Sequence, residues 1–239
     1  MADAPATFPE DCLQHSVGAW WVRASSPQPR RGSLLWSFVP HVDLEPYTLL
    51  PLGRSNPNDH STATFRIQTL RASAPRATRA LPVAGIPDFG QEEKVVYRAK
   101  RRPVVVVAAL APEVAQHLRR GSPASQTAQM LLVAPYYGAD KSGTRAGFNP
   151  EFVARIKACE YPQYVWDRLP LAGSDVSILR LDQVRPIGNH PSSYQATGFE
   201  LSEGAIEMLD EHVRWLHSGI LPAESMLSVI RDTLSQVPA

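Results

Sequence analysis

The chain has 239 residues, of which 44% are hydrophobic, and a formal net charge of +1. This length and apolar fraction suffice for one large domain or two small ones with a proper core. The near-neutral net charge by itself indicates neither a nucleic-acid partner nor a membrane partner. No apolar run approaches the roughly 18–20 residues of a membrane span. We therefore expect a soluble, cytoplasmic protein.

The start of the chain and its cysteines agree with that expectation. The opening MADAPATFPEDC lacks the basic stretch and the apolar core of a secretory signal. Cys12 and Cys159 have no metal-binding or redox spacing, so reduced thiols are expected. Residues 1–17 are interpreted as a flexible lead-in to the folded body.

The first part of the body predicts short strands separated by turns. Segments rich in Trp, Phe and Val and bounded by Gly and Pro, at 18–23 and 32–40, predict strands. After a loop rich in Asn, Asp and Ser at 55–61, residues 62–71 alternate in polarity and predict a half-buried strand. The proline-rich residues 72–90 are interpreted as an irregular loop.

Two strands are then predicted on either side of a basic joint, at 93–100 and 103–110. The second contains four consecutive valines without alternation, which indicates burial on both faces. Another buried strand is predicted at 130–138, and 176–188 is predicted as the last strand. Between these two, an Asn followed by Pro predicts the start of a helix over 149–160.

The end of the chain predicts a pair of helices. Ser202 is placed to cap the first, Gly219 to end it, and a second apolar stripe at helical spacing follows. The predicted organisation is therefore a β-rich body at 18–190, with an insertion at about 42–92, and a C-terminal helical extension at 191–239.

Charge is distributed unevenly along the chain. From Arg66 to Arg102, nine Lys and Arg residues stand against three acids, and from Asp182 onward eight acids stand against three bases. A basic middle and an acidic tail produce local fields of opposite sign, which favours an anionic partner for the middle. The alternative is ordinary solvated surface charge.

The usual catalytic and cofactor motifs are missing from the sequence. It has no HExxH, CxxC or GxSxG motif and no GxxxxGK phosphate loop. His212 and His217 are five residues apart, so they do not share one face of a helix. We therefore expect neither a metal nor a cofactor.

The segment KRRPVVVV carries the strongest indication of a site. Pro103 biases Arg102 toward an extended backbone at the entrance of the valine strand. A guanidinium held there can grip a phosphate or a carboxylate through two hydrogen bonds. The alternative is a structural role, in which Arg102 pairs with an acid such as Asp182 or protects a strand edge from pairing with another chain.

Four segments, in their order along the chain, resemble the PemK/MazF family of toxin endoribonucleases. They are the strand at 32–38, the Arg-Pro and valine run at 102–107, VAPYY at 133–137 and LDQVR at 181–185. Members of that family are small SH3-like β-barrels, usually dimeric, that cut single-stranded RNA without a metal. The resemblance implies a mainly β fold with α-helices: an SH3-like PemK/MazF-type barrel with a long insertion and a C-terminal helical pair.

The resemblance also implies two catalytic residues. Arg102 would stabilise the charge that develops on the phosphorane and serve as an acid, because the family places that role on the arginine before the proline. Tyr137 aligns with the hydroxyl residue of the family, a Thr or Ser, and would replace it with a bulkier hydroxyl.

Four further residues are assigned to RNA binding. Lys100 and Arg101 would follow the RNA backbone, and Tyr136 or Trp36 would stack an unpaired base. For the two aromatic residues, the alternative is simple packing in the core. The implied partners are single-stranded RNA, a second copy of the chain in a homodimer, and a small acidic antitoxin protein.

The chain also departs from the family pattern. About sixty residues separate its first matching strand from the Arg-Pro, so 93–100 is an alternative opening strand that would leave 20–90 as a separate N-terminal part. The alternative function is a non-catalytic SH3-like barrel that acts as a binding or assembly module. A further conjecture is that the acidic tail, residues 200–239, covers the basic groove in cis.

Overall fold

The computed structural model describes residues 7–71, 73, 93–110, 115–121, 129–140, 147–173 and 176–235. Within these residues the fold is mainly β with a few helices. The chain divides into two compact units, of which the first comprises Met1–Phe38 and Arg101–Ala239 and the second Val39–Lys100. The insertion predicted at about 42–92 falls within the second unit. Apart from residue 73, the loop predicted at 72–90 lies outside the described residues.

The described residues contain eleven strands. In chain order they are Trp21–Arg23 (β1), Ser33–Pro40 (β2), Tyr47–Arg54 (β3), Ala63–Thr69 (β4), Val95–Val96 (β5), Ala99–Leu110 (β6), Met130–Gly138 (β7), Tyr164–Asp167 (β8), Ser177–Arg180 (β9), Arg185–Gly188 (β10) and Gln195–Leu201 (β11). The larger sheet has the order β1-β11-β2-β6-β7-β9-β8, and β10 also pairs with β7. The smaller sheet, in the second unit, has the order β4-β3-β5.

The described helices lie mostly in the C-terminal part of the chain. They are Leu13–Val17 (α1), Pro150–Lys157 (α2), Glu203–Ser218 (α3) and Met226–Ser235 (α4), with 3-10 helices at His60–Thr62, Gln116–Arg119 and Leu181–Gln183. The predicted caps are confirmed: the hydroxyl of Ser202 accepts from the amide of Ala205, and Gly219 ends α3 with a left-handed backbone. Among the residues that the structure describes, no helix is both long and apolar enough to cross a bilayer.

Strand β6 contains both the basic joint and the valine run. It continues without a break from Ala99 to Leu110, so the joint lies inside the strand. Of the first predicted strand, 93–100, residues 95–96 form β5 and residues 99–100 belong to β6. Val105 faces Ala134 of β7 and belongs to the core cluster that includes the C-terminal helices. Val104 and Val106 point to the opposite side of the sheet, and all three valines are fully buried. The predicted burial on both faces is confirmed.

A single stretch of chain covers the edge of β7 that faces away from β6. Strand β9 pairs with the C-terminal end of β7, and β10 pairs with its N-terminal end. The 3-10 helix Leu181–Gln183 links the two strands. The segment predicted as one strand, 176–188, is therefore two strands with a helical turn between them. This turn brings the LDQVR segment alongside β7.

Both ends of the chain contribute to the core of the first unit. At the end of the segment predicted as a flexible lead-in, residues 13–17 form α1, and Leu13 is buried. Strand β11, inside the segment predicted as a helical extension at 191–239, pairs with both β1 and β2. The apolar faces of α3 and α4 pack in the same core, which includes Leu34, Leu179, Leu201, Met208, Leu209, Leu227 and Ile230.

A matched pair of glycines tests how closely α3 packs on the sheet. Gly32 has φ +85° before β2, and an added Cβ would lie 3.0 Å from Cδ1 of Ile206 in α3. Gly219 has a φ of +72° in the left-handed region, with no atom within 4 Å of an added Cβ. Both alanine variants should lose about 1 kcal/mol through backbone strain.

The contact with Ile206 should make Gly32→Ala the more destabilising of the two variants. We expect it to lose about 1 kcal/mol more than Gly219→Ala, because overfilling a packed site has a cost of that order. Urea denaturation of both variants measures the difference in the free energy of unfolding. Equal losses would show that α3 does not press on Gly32 in solution.

Candidate functional site

Arg102 and Tyr137 lie together on the first unit. Strands β6 and β7 pair Val104 with Pro135, and continuing that register by two residues places Arg102 opposite Tyr137. The ζ carbon of Arg102 lies 3.9 Å from the centroid of the Tyr137 ring, within the range of a cation–π interaction. Both side chains are half-buried. The structure therefore brings together the two residues predicted as catalytic.

The segment LDQVR meets the same ring from the other side of β7. The hydroxyl of Tyr137 donates a hydrogen bond to the side-chain oxygen of Gln183, the last residue of the 3-10 helix Leu181–Gln183. Nε of Arg185 donates to the backbone oxygen of Gln183 at 3.4 Å. The hydroxyl of Tyr137 is thus oriented by Gln183, whose position depends on the turn between β9 and β10.

Arg180 and Asp182 complete the cluster around Tyr137. Arg180 donates two hydrogen bonds to Asp182, at 2.7 Å from Nε and 2.5 Å from Nη2. The hydrogen bonds to this carboxylate raise the pKa of Arg180. The ζ carbon of Arg180 lies 5.7 Å from the centroid of the Tyr137 ring. We name the set the Tyr137 cluster, with three arginines and one aspartate: Arg102, Tyr137, Arg180, Asp182, Gln183 and Arg185.

Arg101 belongs to a different surface from Arg102. Neighbouring residues of a strand point to opposite faces of its sheet, and the contacts of the two arginines follow that rule. The ζ carbon of Arg101 lies 4.7 Å from the centroid of the Trp36 ring in β2, and its Nη2 donates to Gln195 of β11 at 2.5 Å. The structure therefore brings together Arg101 and Trp36, two predicted RNA-binding residues, but on the face opposite to Tyr137.

The two remaining predicted RNA-binding residues lie elsewhere. Tyr136 is 2% exposed, its ring belongs to the core, and its hydroxyl donates to Asp167 at 2.9 Å. This is the core position considered as the alternative for the aromatic residues, and it offers no free ring face to a base. Lys100 has an exposed side chain in the first part of β6 and is the last residue of the second unit.

The chain was compared with protein-family models, curated proteins and solved structures. No match was found in any of the three comparisons. A conclusion about function therefore rests on the chemistry of the Tyr137 cluster. Within the described ranges, no three His, Cys, Asp or Glu side chains form a group that could hold a metal ion.

Asp167 is a buried carboxyl that the sequence analysis did not identify. It accepts hydrogen bonds from the indole nitrogens of Trp20 and Trp21, each at 3.2 Å, and from the hydroxyl of Tyr136. Burial raises the pKa of Asp167 to about 7, although the hydrogen bonds from these donors act in the opposite direction. The network joins β8 to β7 and to the strand that begins at Trp21. The adjacent tryptophans were the only sequence signal, and they did not point to their acceptor.

Proposed function

We propose that the protein is a PemK/MazF-like endoribonuclease of the toxin–antitoxin type, built on an SH3-like barrel, that cuts single-stranded RNA without a metal. The observation that carries the proposal is the meeting of three separate segments at one ring. Arg102 comes from RPVVVV, Tyr137 from VAPYY and Gln183 from LDQVR. These are segments on which the resemblance to the family depends. The β-rich fold also supports the proposal.

The proposed reaction is a transesterification by the 2′-hydroxyl of the RNA. The 2′ oxygen attacks the adjacent phosphorus, and the bond from phosphorus to the 5′ oxygen breaks. The products are a 2′,3′-cyclic phosphate and a 5′-hydroxyl end. Water takes the proton of the 2′-hydroxyl and gives one to the departing 5′ oxygen, so no net proton is consumed and the step balances without a cofactor. The protein must hold the phosphate and stabilise the negative charge of the phosphorane.

Arg102 is the residue best suited to that electrostatic task. Its guanidinium keeps its charge at any physiological pH and presents several donors to a phosphate. Tyr137 holds the guanidinium through its ring, and Gln183 fixes the tyrosine hydroxyl. In this assignment Tyr137 positions Arg102 and offers its hydroxyl oxygen to the site.

A second candidate function is a non-catalytic barrel that binds RNA or assembles with a partner. The composition of the Tyr137 cluster favours it, because the cluster contains no His or Glu to move a proton. Its carboxylate, Asp182, is held by Arg180, and the Tyr137 hydroxyl donates to Gln183. Such a cluster is better equipped to grip a phosphate than to exchange protons with its substrate.

The neighbouring arginines provide a matched test of the proposal. Expression of the wild-type chain in bacteria should slow growth, and Arg102→Ala should restore it, whereas Arg101→Ala on the opposite face should remain toxic. With purified proteins, Arg102→Ala should slow the cleavage of a fluorescent single-stranded RNA about 100-fold or more, the usual loss when one charge-stabilising donor is removed.

The outcomes separate the two candidate functions. Equal growth of cells that express the wild type and Arg102→Ala would argue against a nuclease. RNA that is bound through Arg102 but never cut would support the binding module. Equal losses in Arg101→Ala and Arg102→Ala would show that the Tyr137 cluster has no special part in the reaction.

Two partners form part of the proposal, namely a second copy of the chain and a small acidic antitoxin. The cis covering by residues 200–239 is not retained, because α3 and α4 lie in this segment and pack into the core of the first unit. Leu209 and Leu227 are almost fully buried there. Deleting the tail would remove part of the core, so an effect on RNA binding would not reveal a cover.

A further inference from the structure

A series of aromatic rings and guanidinium groups leads away from Tyr137. The ζ carbon of Arg180 lies 5.7 Å from the Tyr137 ring and 5.0 Å from the Tyr164 ring. The ring of Tyr164 lies 5.8 Å from that of Tyr161, and the ζ carbon of Arg155 lies 5.2 Å from the Tyr161 ring, all measured to ring centroids. We name Arg180, Tyr164, Tyr161 and Arg155 the stacking track.

Neighbouring residues of the fold support one side of each tyrosine ring in the track. Tyr164 starts β8 directly opposite Arg180 of β9, and Tyr161 lies in the turn that precedes β8. Phe152 of α2 contacts both tyrosine rings, at centroid distances of 5.3 Å and 5.5 Å. Both tyrosines pack at the margin of a buried cluster and remain half-buried. Each ring is therefore anchored on one side and partly accessible to solvent.

Carboxylates hold the two arginines of the track. Asp182 accepts two hydrogen bonds from Arg180, and Glu160 accepts one from Nε of Arg155 at 2.7 Å. These acids offset the positive charge and fix the planes of the guanidinium groups. The rings of Tyr161 and Tyr164 meet edge to face, at an interplanar angle of 67°, so each presents its own flat surface. Tyrosine rings and guanidinium planes are the groups on which proteins stack unpaired bases.

We propose that the stacking track binds unpaired bases of a single-stranded RNA whose phosphate is held by Arg102. This inference rests on the proposed function, since it assumes that the RNA reaches the Tyr137 cluster. The two parts of the site act through different interactions: Arg102 attracts the phosphate by charge, and the stacking track holds the adjoining bases by stacking. Two partly exposed rings, those of Tyr161 and Tyr164, correspond to about two stacked bases, because Arg180 already lies against both the Tyr137 and the Tyr164 rings.

The test measures the affinity for a short, fluorescent single-stranded RNA and for a strand of equal length that lacks its bases. Tyr164→Ala should weaken binding of the complete RNA about tenfold, a typical loss for one stacked base. The same variant should bind the abasic strand about as well as the wild type does. Tyr164→Phe, which retains the ring, should behave like the wild type with both strands.

Salt dependence distinguishes stacking from charge. Arg102→Ala should reduce the slope of log affinity against log salt by about 0.7, the value for one phosphate contact on a single strand. Tyr164→Ala should leave that slope unchanged. Arg155→Ala, at an exposed end of the track, provides a second variant that does not disturb the core, and it should weaken binding of the complete RNA about threefold.

The results separate this inference from the proposed function. If the wild type binds no RNA, both ideas fail. If Arg102→Ala abolishes cleavage while Tyr164→Ala and Arg155→Ala bind as the wild type does, the stacking track is wrong and the nuclease proposal stands. If both variants lose affinity for the complete RNA alone and no cleavage occurs, the track stands and the nuclease proposal fails.

Discussion

Asp167→Ala is expected to lower the free energy of unfolding by about 3 kcal/mol, because it would leave three buried donors without their acceptor. These donors are the indole nitrogens of Trp20 and Trp21 and the hydroxyl of Tyr136. An unsatisfied buried donor costs about 1–3 kcal/mol, and part of the loss is offset because the buried carboxyl is itself costly. Urea denaturation followed by tryptophan fluorescence reports on the network directly.

Two control variants should each lose less free energy of unfolding than Asp167→Ala does. Tyr136→Phe removes a single donor and leaves the acceptor in place, so it should lose only about 1 kcal/mol. Asp232→Ala removes an exposed aspartate and should change the free energy of unfolding by less than about 0.5 kcal/mol. A wild-type stability in Asp167→Ala would mean that the tryptophans find other acceptors and that the network does not stabilise the fold.

Local signals predicted the strands and helices whose patterns are strong. The four valines of β6, the apolar run of β7 and the caps of α3 can all be identified without knowledge of the fold. Strands β3, β8 and β11 were not predicted. In β3, Pro51 and Gly53 interrupt the pattern at a bulge, and β8 has only four residues. Their strand conformation depends on pairing with distant segments, which no local pattern records.

The candidate site was predicted only in part, because its geometry also depends on the pairing of distant segments. Arg102 and Tyr137 were identified because each lies in a distinctive segment. The sheet face toward which each side chain points was not predicted. A run of valines has no alternation, so nothing in it assigns Arg101 and Arg102, or Tyr136 and Tyr137, to one face or the other. The stacking track is assembled from α2, β8 and β9, and its residues look ordinary in each. Only the fold places them next to Tyr137.

Two of the buried titratable groups, Asp167 and His212, should make stability depend on pH in opposite directions. Burial raises the pKa of Asp167 from 3.8 to about 7, so folding favours its protonated form. The stability that it contributes is complete below pH 4 and is lost as the pH rises through 7. Burial lowers the pKa of His212 from 6.5 to about 4, so folding favours its neutral form. Its contribution is complete above pH 6.5 and is lost as the pH falls toward 4.

Removing either group should therefore reveal the pH dependence of the other. Shifts of this size correspond to about 4 kcal/mol for Asp167 and about 3 kcal/mol for His212, and the two contributions act in opposite directions. Relative to the wild type, the free energy of unfolding of Asp167→Asn should rise with pH between 4 and 7. That of His212→Asn should fall over the same range. Urea denaturation at several pH values measures both differences, in which the contributions of the other carboxylates cancel. Parallel profiles for all three proteins would mean that neither group keeps its buried environment in solution.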